Sequence, residues 1–253
     1  AGLKITPDGY YGLRLALQAR MPALGITDAT EYVSRLRQRA GEHELRSLIP
    51  LVTVGKTEFF RDSRQFQAFE KTVLPQVLKR GLIEGRQVRL WSAGCSSGEE
   101  TWSLLMTLLG DDASEGSNIA RRDLRLLASD IATHALAKAR AATYRAEDVK
   151  AVPEPLRRLW TRIAGDEATI APEVQQLARF RSLNLLGDWP MQGQFDVIFC
   201  RNVMIYFDNP TKERLIQRFA EKLVPGGWLY IGHSERVTGP ALEHLVSMGP
   251  TIY

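Results

Sequence analysis

The spacing of apolar positions changes character about a third of the way along the chain. Up to about residue 80 they recur at helical intervals. Leu13, Leu15, Ala16 and Leu17 fall in a first helix opened by Thr6-Pro7-Asp8. Asp28 or Thr30 is placed to cap a second, which carries Tyr32, Val33, Leu36 and Ala40. Leu45, Leu48, Ile49 and Val52 predict a third helix. Phe66, Phe69, Val73 and Leu74 predict a fourth that stops near Pro75, and 81–86 reads as a linker. Beyond it, short apolar runs at 88–92, 124–129, 197–200 and 228–232 alternate with helical segments. That alternation predicts an α/β fold with a doubly wound parallel sheet at 81–253, preceded by an all-helical unit at 1–80. No internal repeat or low-complexity tract is visible.

The segment Leu90-Trp91-Ser92-Ala93-Gly94-Cys95-Ser96-Ser97-Gly98-Glu99-Glu100 adds chemistry to this pattern. A strand runs into a loop of small residues, and a helix pattern of Trp102, Leu105, Met106 and Leu109 follows. An open α/β sheet uses this geometry to bring backbone N–H groups against a nucleotide-like ligand. Small residues matter because a longer side chain would hold the ligand off the backbone. A phosphate cradle wants a lysine there, and two carboxylates would repel pyrophosphate. A ligand with a cationic head, such as the amino group and sulfonium of S-adenosylmethionine, suits the two acids instead. The plainer alternative is a strand-to-helix turn whose acids complement the helix dipole.

Three further stations sit where such a sheet places ligand contacts. The second strand ends in Ala128-Ser129-Asp130, and an acid there accepts hydrogen bonds from ribose hydroxyls; its alternative role is a helix cap. Asn184-Leu185-Leu186 offers an amide and an apolar wall to a purine. The apolar run Phe195 to Cys200 delivers Arg201, Asn202 and Tyr206 at its carboxyl end.

Composition narrows the class. The chain has 253 residues, 44% hydrophobic and 25% charged, enough for one sizeable core and a smaller companion unit. It shows no membrane-length apolar run and no signal-peptide pattern, so no membrane insertion is expected. Two cysteines, Cys95 and Cys200, fit reduced thiols in a cytoplasm, and four scattered histidines predict no metal site. Residues 1–85 hold 13 Lys/Arg against 9 Asp/Glu, whereas 86–253 hold 20 of each. The basic excess therefore lies in the helical third, where Arg35, Arg37, Arg39 and Arg46 cluster and suggest an acidic partner.

Taken in order, these segments identify a family. Thr57-Glu58-Phe59-Phe60-Arg61-Asp62, the loop from Trp91 to Glu100, Ala128-Ser129-Asp130-Ile131, Asn184-Leu185-Leu186, Phe195 to Phe207, and Leu223 to Glu235 with its Pro-Gly-Gly and Gly-His-Ser-Glu resemble the chemotaxis receptor methyltransferases. These are the CheR family of S-adenosylmethionine-dependent protein-glutamate O-methyltransferases, and the resemblance runs from about Pro7 to Tyr253. It implies a Rossmann-like methyltransferase sheet, an N-terminal helical receptor-recognition domain and a small inserted antiparallel β-subdomain. It further implies methyl transfer to glutamates of methyl-accepting chemoreceptors in the cytoplasm, with S-adenosylhomocysteine as product and no metal.

Laid onto matching positions, the resemblance implies that Thr57 and Arg61 reach the methionine carboxylate and Glu100 the amino group, with Glu99 as a second candidate. Asp130 would hold the ribose, Asn184 and Leu185 would frame the adenine, and Arg201 with Asn202 would complete the floor. Tyr206 and Arg61 would face the methyl acceptor; packing is the plainer role for Tyr206. Where many relatives carry Asn two residues before the Thr, this chain has Gly55, whose backbone alone would serve the cofactor. Family members that grip a pentapeptide tether do so with the β-subdomain, here expected over about 162–182 with Ile163, Ile170 and Val174 as strand formers. Its turn, Ala164-Gly165-Asp166-Glu167, is short and acidic, so a tether-independent monomer is expected, which meets its receptor through the helix bearing Arg35 and Arg39.

Other classes fit less well. A non-catalytic cofactor-binding module would lack Arg61 or Tyr206, and both are present. A nucleic-acid methyltransferase would want an Asn/Asp-Pro-Pro-aromatic motif and a stronger basic surface. Cys200, inside an apolar strand, reads as packing rather than as a nucleophile. A dehydrogenase would want Gly-x-Gly-x-x-Gly, which is absent.

Overall fold

The computed structural model describes residues 7–38, 41–52, 57–121 and 124–253. Three helices open it: α1 (Pro7–Ala23), α2 (Ala29–Arg37) and α3 (Gly41–Val52). Asp28 caps α2 by accepting from the Glu31 N–H at 3.1 Å. Ala16, Ile26, Tyr32 and Leu48 form a small core of their own. At its heart, Glu44 of α3 accepts from Arg20 of α1 (Nε 2.8 Å, Nη2 2.6 Å) and from the Tyr32 hydroxyl of α2 at 2.6 Å. One carboxylate thus joins all three helices, and the hydrogen bonds from Arg20 hold its pKa below the usual 4.5. A depressed carboxylate pKa gives stability that is complete above the unfolded value and lost as pH falls through the folded one. Glu44→Gln is expected to lower the stability of the helical unit by about 1–2 kcal/mol at neutral pH. It is also expected to blunt the unit's loss of stability below about pH 4.5, which thermal unfolding against pH measures.

The fourth helix departs from expectation. α4 (Ser63–Ala68) passes through a π-helical turn (Phe69–Val73) into α5 (Leu74–Glu84), so the helix runs on past Pro75. The π turn shifts the hydrogen-bond register, and Pro75 falls in the first turn of α5, where its missing N–H costs nothing. Gly85, at φ 59°, ends the helix in the left-handed conformation, so 81–84 is helical rather than linker.

The main sheet has five parallel strands in the order β6-β2-β1-β7-β8: β1 (Val88–Ala93), β2 (Leu124–Asp130), β6 (Ala178–Ser182), β7 (Phe195–Cys200) and β8 (Leu223–Ile231). Side chains alternate between two cores with the period of two that strands impose. Leu90, Val197, Phe199 and Tyr230 face one core, built with α5, α6 (Glu99–Leu109) and α7 (Ala113–Ala120). Trp91, Ile198, Cys200 and Ile231 face the other, built with α11 (Asn209–Lys222). Cys200 is fully buried, and burial pushes its thiol pKa up, the opposite of what a nucleophile needs. The tail returns beside β8, Leu229 exchanging backbone hydrogen bonds with Tyr253 at 2.8 and 3.0 Å.

A second, antiparallel sheet has the order β3-β5-β4, from β3 (Thr143–Arg145), β4 (Thr161–Ala164) and β5 (Glu167–Ile170). It draws on a strand upstream of the expected 162–182. Val174, expected as a strand former, lies in the short helix α10 (Pro172–Gln175), and 178–182 is the edge strand β6 of the main sheet. Strand order reverses between β1 and β7, which opens a crevice at their carboxyl ends.

Candidate active site

The loop after β1 is built for close approach. Gly94 and Cys95 N–H groups both donate to the Ser129 carbonyl, at 2.8 and 3.0 Å, tying the loop to β2. Gly94 sits at φ 85°, and a Cβ there would lie 2.4 Å from Val203. Asp130 then gathers the loop: its Oδ2 accepts from the Ser96 N–H and its Oδ1 from the Ala132 N–H, each at 2.8 Å. The acid weighed as a cap for the next helix, α8 (Thr133–Ala141), makes no side-chain cap at its terminus and braces the loop instead. Burial raises the Asp130 pKa above the usual 3.8, opposed by these backbone hydrogen bonds.

The two acids at the start of α6 point different ways. Glu99 is 5% exposed and turns onto the Ser97 hydroxyl, at 2.8 and 2.9 Å, with Lys138 at 3.7 Å; burial raises its pKa. It does not line the cleft, so the second candidate for the amino group is a loop brace. Glu100 does line it. Its Oε1 accepts from the Ser92 hydroxyl at 2.8 Å, and its Oε2 faces Arg201 Nη1 at 3.3 Å.

Arg201 enters from the end of β7, 7% exposed, and also donates Nη2 to the Arg61 carbonyl. Its Nε is buried without a partner among the described residues. The segment carrying Arg61 is anchored by Phe59, which is 2% exposed and packs edge-on against Tyr144 at 5.0 Å. The Phe60 N–H bonds Ser103 Oγ at 3.0 Å. Phe60 and Asp62 on either side of Arg61 take left-handed backbone at φ 52° and 63°. Such strain persists only where surroundings over-determine it.

After β7 the chain turns through Asn202 (φ 58°) into the short 3₁₀ turn Met204–Tyr206. Glu235, 5% exposed, holds that corner, its Oε2 accepting from the Gly232 N–H at 2.6 Å and the Asn202 N–H at 3.2 Å. The role of this glutamate, within the Gly-His-Ser-Glu segment, emerges only from the fold, which brings it against Asn202 more than thirty residues away.

These elements enclose one cleft of about 1120 Å³. Thr57, Arg61, Glu100, Asp130, Asn184, Leu185, Arg201, Asn202 and Tyr206 all line it. Gly55 lies outside the described residues. Leu45 and Ile49 of α3, read from sequence only as spacing that predicts a helix, also line the cleft, as do His134 and Lys138 of α8. The residues suit S-adenosylmethionine on three counts. The loop has no room for a Cβ at Gly94, Glu100 and Asp130 offer acceptors to cationic and hydroxyl donors, and a buried donor on Arg201 stands unpaired. Among the described residues no His/Cys/Asp/Glu cluster could hold a metal, and no helix is long and apolar enough to cross a membrane.

A family described as "CheR methyltransferase, SAM binding domain" matches residues 55–251. Among curated relatives, a probable chemotaxis protein methyltransferase of Rhizobium etli is 40% identical over 91% of this chain and 85% of its own. Chemotaxis protein methyltransferase 2 of Pseudomonas aeruginosa is 37% identical, over 94% and 82%. The chemotaxis protein methyltransferase of Escherichia coli is 35% identical, over 94% and 80%. With a sheet, a small-residue loop and an acid-lined cleft of the kind this chemistry requires, the chain belongs to the CheR family of S-adenosylmethionine-dependent methyltransferases.

Proposed function

We propose that this enzyme methylates glutamate side chains on the cytoplasmic helical bundle of methyl-accepting chemoreceptors. The observation that carries the reading is that Arg61 and Tyr206, from two separate segments, line the same cleft as Glu100 and Asp130. When bound, S-adenosylmethionine supplies a sulfonium methyl group open to in-line displacement. A glutamate acceptor, with a pKa of about 4.3, is already ionised at neutral pH, so no strong base is needed. What remains is orientation, which is worth several kcal/mol.

Thr57 and Arg61 take the methionine carboxylate, where an arginine fork suits two oxygens. Glu100 takes the amino group, Asp130 the ribose hydroxyls, and Asn184 with Leu185 the adenine; Arg201 and Asn202 form the floor. The Tyr206 hydroxyl and the Arg61 guanidinium align the acceptor oxygen. Leu45 and Ile49 help exclude water, which strengthens each of these interactions. Transfer of labelled methyl from S-adenosylmethionine to candidate receptors tests the reading; a base-labile product identifies the ester, and a base-stable one overturns it.

Residues 1–80 serve mainly as the recognition unit and 81–253 mainly as the catalytic unit of a cytoplasmic monomer, with α5 spanning that boundary and Thr57 and Arg61 reaching the cleft from before it. Arg35 and Arg37 end α2 on exposed surface, a basic end suited to an acidic helical bundle, while Arg39 lies outside the described residues. Arg35→Glu is expected to raise the KM for receptor about threefold at low salt and to flatten its salt dependence, with cofactor affinity unchanged. An unaltered KM at low salt removes α2 from the docking surface.

Ala164 pairs with Glu167, so only Gly165 and Asp166 connect β4 to β5. The edge strand β4 offers four residues to a peptide, with Asp166 and Glu167 beside its end. Receptor capture therefore does not depend on a pentapeptide tether. Titration of the enzyme with a tether peptide is expected to give no micromolar binding, and micromolar heat would overturn tether independence.

A further inference from the structure

The adenine-side wall of the cleft is a tight turn held from outside. Leu183 N–H bonds the Asp130 carbonyl at 3.0 Å, which ties the chain leaving β6 to the end of β2 just before Asn184. The turn closes on itself twice: Gly187 N–H donates to the Asn184 carbonyl at 3.0 Å, and Leu186 N–H donates to Asn184 Oδ1 at 3.0 Å. The second bond fixes the side-chain amide, leaving its N–H₂ donors for the cleft that Asn184 lines. Neither bond fixes the tilt of the turn as a whole.

That task falls to α11. Arg218 donates Nη1 to the Leu185 carbonyl at 2.8 Å and Nη2 to the Gly187 carbonyl at 2.6 Å. Its guanidinium lies 3.9 Å from the centre of the Trp189 ring. Trp189 is itself wedged edge-on against Trp91 of β1, with ring centres 4.8 Å apart, and its Nε1 bonds the Leu185 carbonyl at 3.1 Å. A planar fork that meets two carbonyls and stacks on a ring fixes both peptide planes at once.

Because those carbonyls face α11, adenine is left the Asn184 amide and the Leu185 side chain. We propose that Arg218 is a positioning residue that sets selectivity for the adenine base by holding the 184–187 turn at the angle that aims Asn184. This rests on the reading that Asn184 and Leu185 frame the base. Arg218 touches neither cofactor nor acceptor; it acts through the turn.

The test compares S-adenosylhomocysteine with S-inosylhomocysteine, in which a carbonyl replaces the exocyclic amine of adenine, by calorimetry on the intact enzyme, with melting temperatures recorded alongside. The wild-type enzyme is expected to prefer the adenine form, whose N1 accepts from the Asn184 amide where N1 of the inosine base carries a proton. Arg218→Met, which keeps a long side chain over Trp189 but removes both donors, is expected to shrink that preference about tenfold, with any loss of melting temperature falling on both ligands alike. Arg218→Lys carries the charge on a single nitrogen and cannot span both carbonyls, so it is expected to fall between the two. A full preference in Arg218→Met, alongside a lost preference in Asn184→Ala, overturns the positioning role and leaves the adenine reading standing. A full preference in Asn184→Ala, or none in the wild type, removes the adenine reading and the proposal with it. If Arg218→Met does not fold, Arg218→Lys decides: a wild-type preference there overturns the proposal.

Discussion

Replacing Tyr206 with Phe is expected to slow methyl transfer about a hundredfold while leaving the dissociation constant of S-adenosylhomocysteine within about twofold of wild type. The expectation follows from how the turn is made. Met204, 1% exposed, plugs the second core and fixes the 3₁₀ turn from below, and the Phe207 N–H closes it on the Met204 carbonyl at 3.0 Å. Glu235 holds the Asn202 N–H at the turn's entry. The ring of Tyr206 packs against that second core, which Phe preserves. What is removed is the hydroxyl that the proposed mechanism aims at the acceptor oxygen, a contact expected to matter to the rate of transfer and not to nucleoside binding. Single-turnover rates and calorimetry separate the two. Wild-type turnover in Tyr206→Phe would make the residue a packing group.

Asp130→Ala is expected to weaken S-adenosylhomocysteine by roughly 2–3 kcal/mol, about 30- to 150-fold. The substitution removes the acceptor proposed for the ribose hydroxyls, and it also releases the Ser96 and Ala132 N–H groups that the carboxylate gathers. The pH dependence has a definite sign. Burial raises the pKa of Asp130 in the free enzyme, and hydroxyl donors favour its charged form. Cofactor affinity is therefore full well above the folded pKa and falls as pH drops through it, starting above 3.8. Calorimetry between pH 7 and 4 reads this directly. In Asp130→Ala that acid limb disappears, and an undiminished affinity in a folded variant would take Asp130 out of the site.

Four of the five strands of the main sheet are legible because each holds a short apolar run closed by a polar or small residue. The loop after β1 is legible because so many small residues in a row suit a close backbone approach. Other features depended on information that pattern does not carry. Pro75 reads as a stop unless a π turn has already shifted the register before it. Glu99 and Glu100 are neighbours of one residue type, and the hundred degrees between them on a helix decides that one faces the cleft and the other Ser97. β3 is three residues long, too short for alternation to show, and it pairs with β5 across more than twenty residues of intervening chain. The resemblance places 178–182 in the inserted subdomain, although Phe180 is buried and the segment pairs with β2.

The contact of Arg201 with both the Arg61 carbonyl and the Glu100 carboxylate has a thermodynamic consequence. One guanidinium links the backbone that presents Arg61 to the acid proposed for the cofactor's amino group. A cation arriving at Glu100 draws on the same carboxylate that Arg201 uses, and so alters the grip on Arg61. Coupling free energies are reciprocal. Whatever factor the cofactor applies to the receptor's affinity, the receptor applies to the cofactor's, and with the roles proposed for Glu100 and Arg61 the buried Arg201 side chain is where the two would meet.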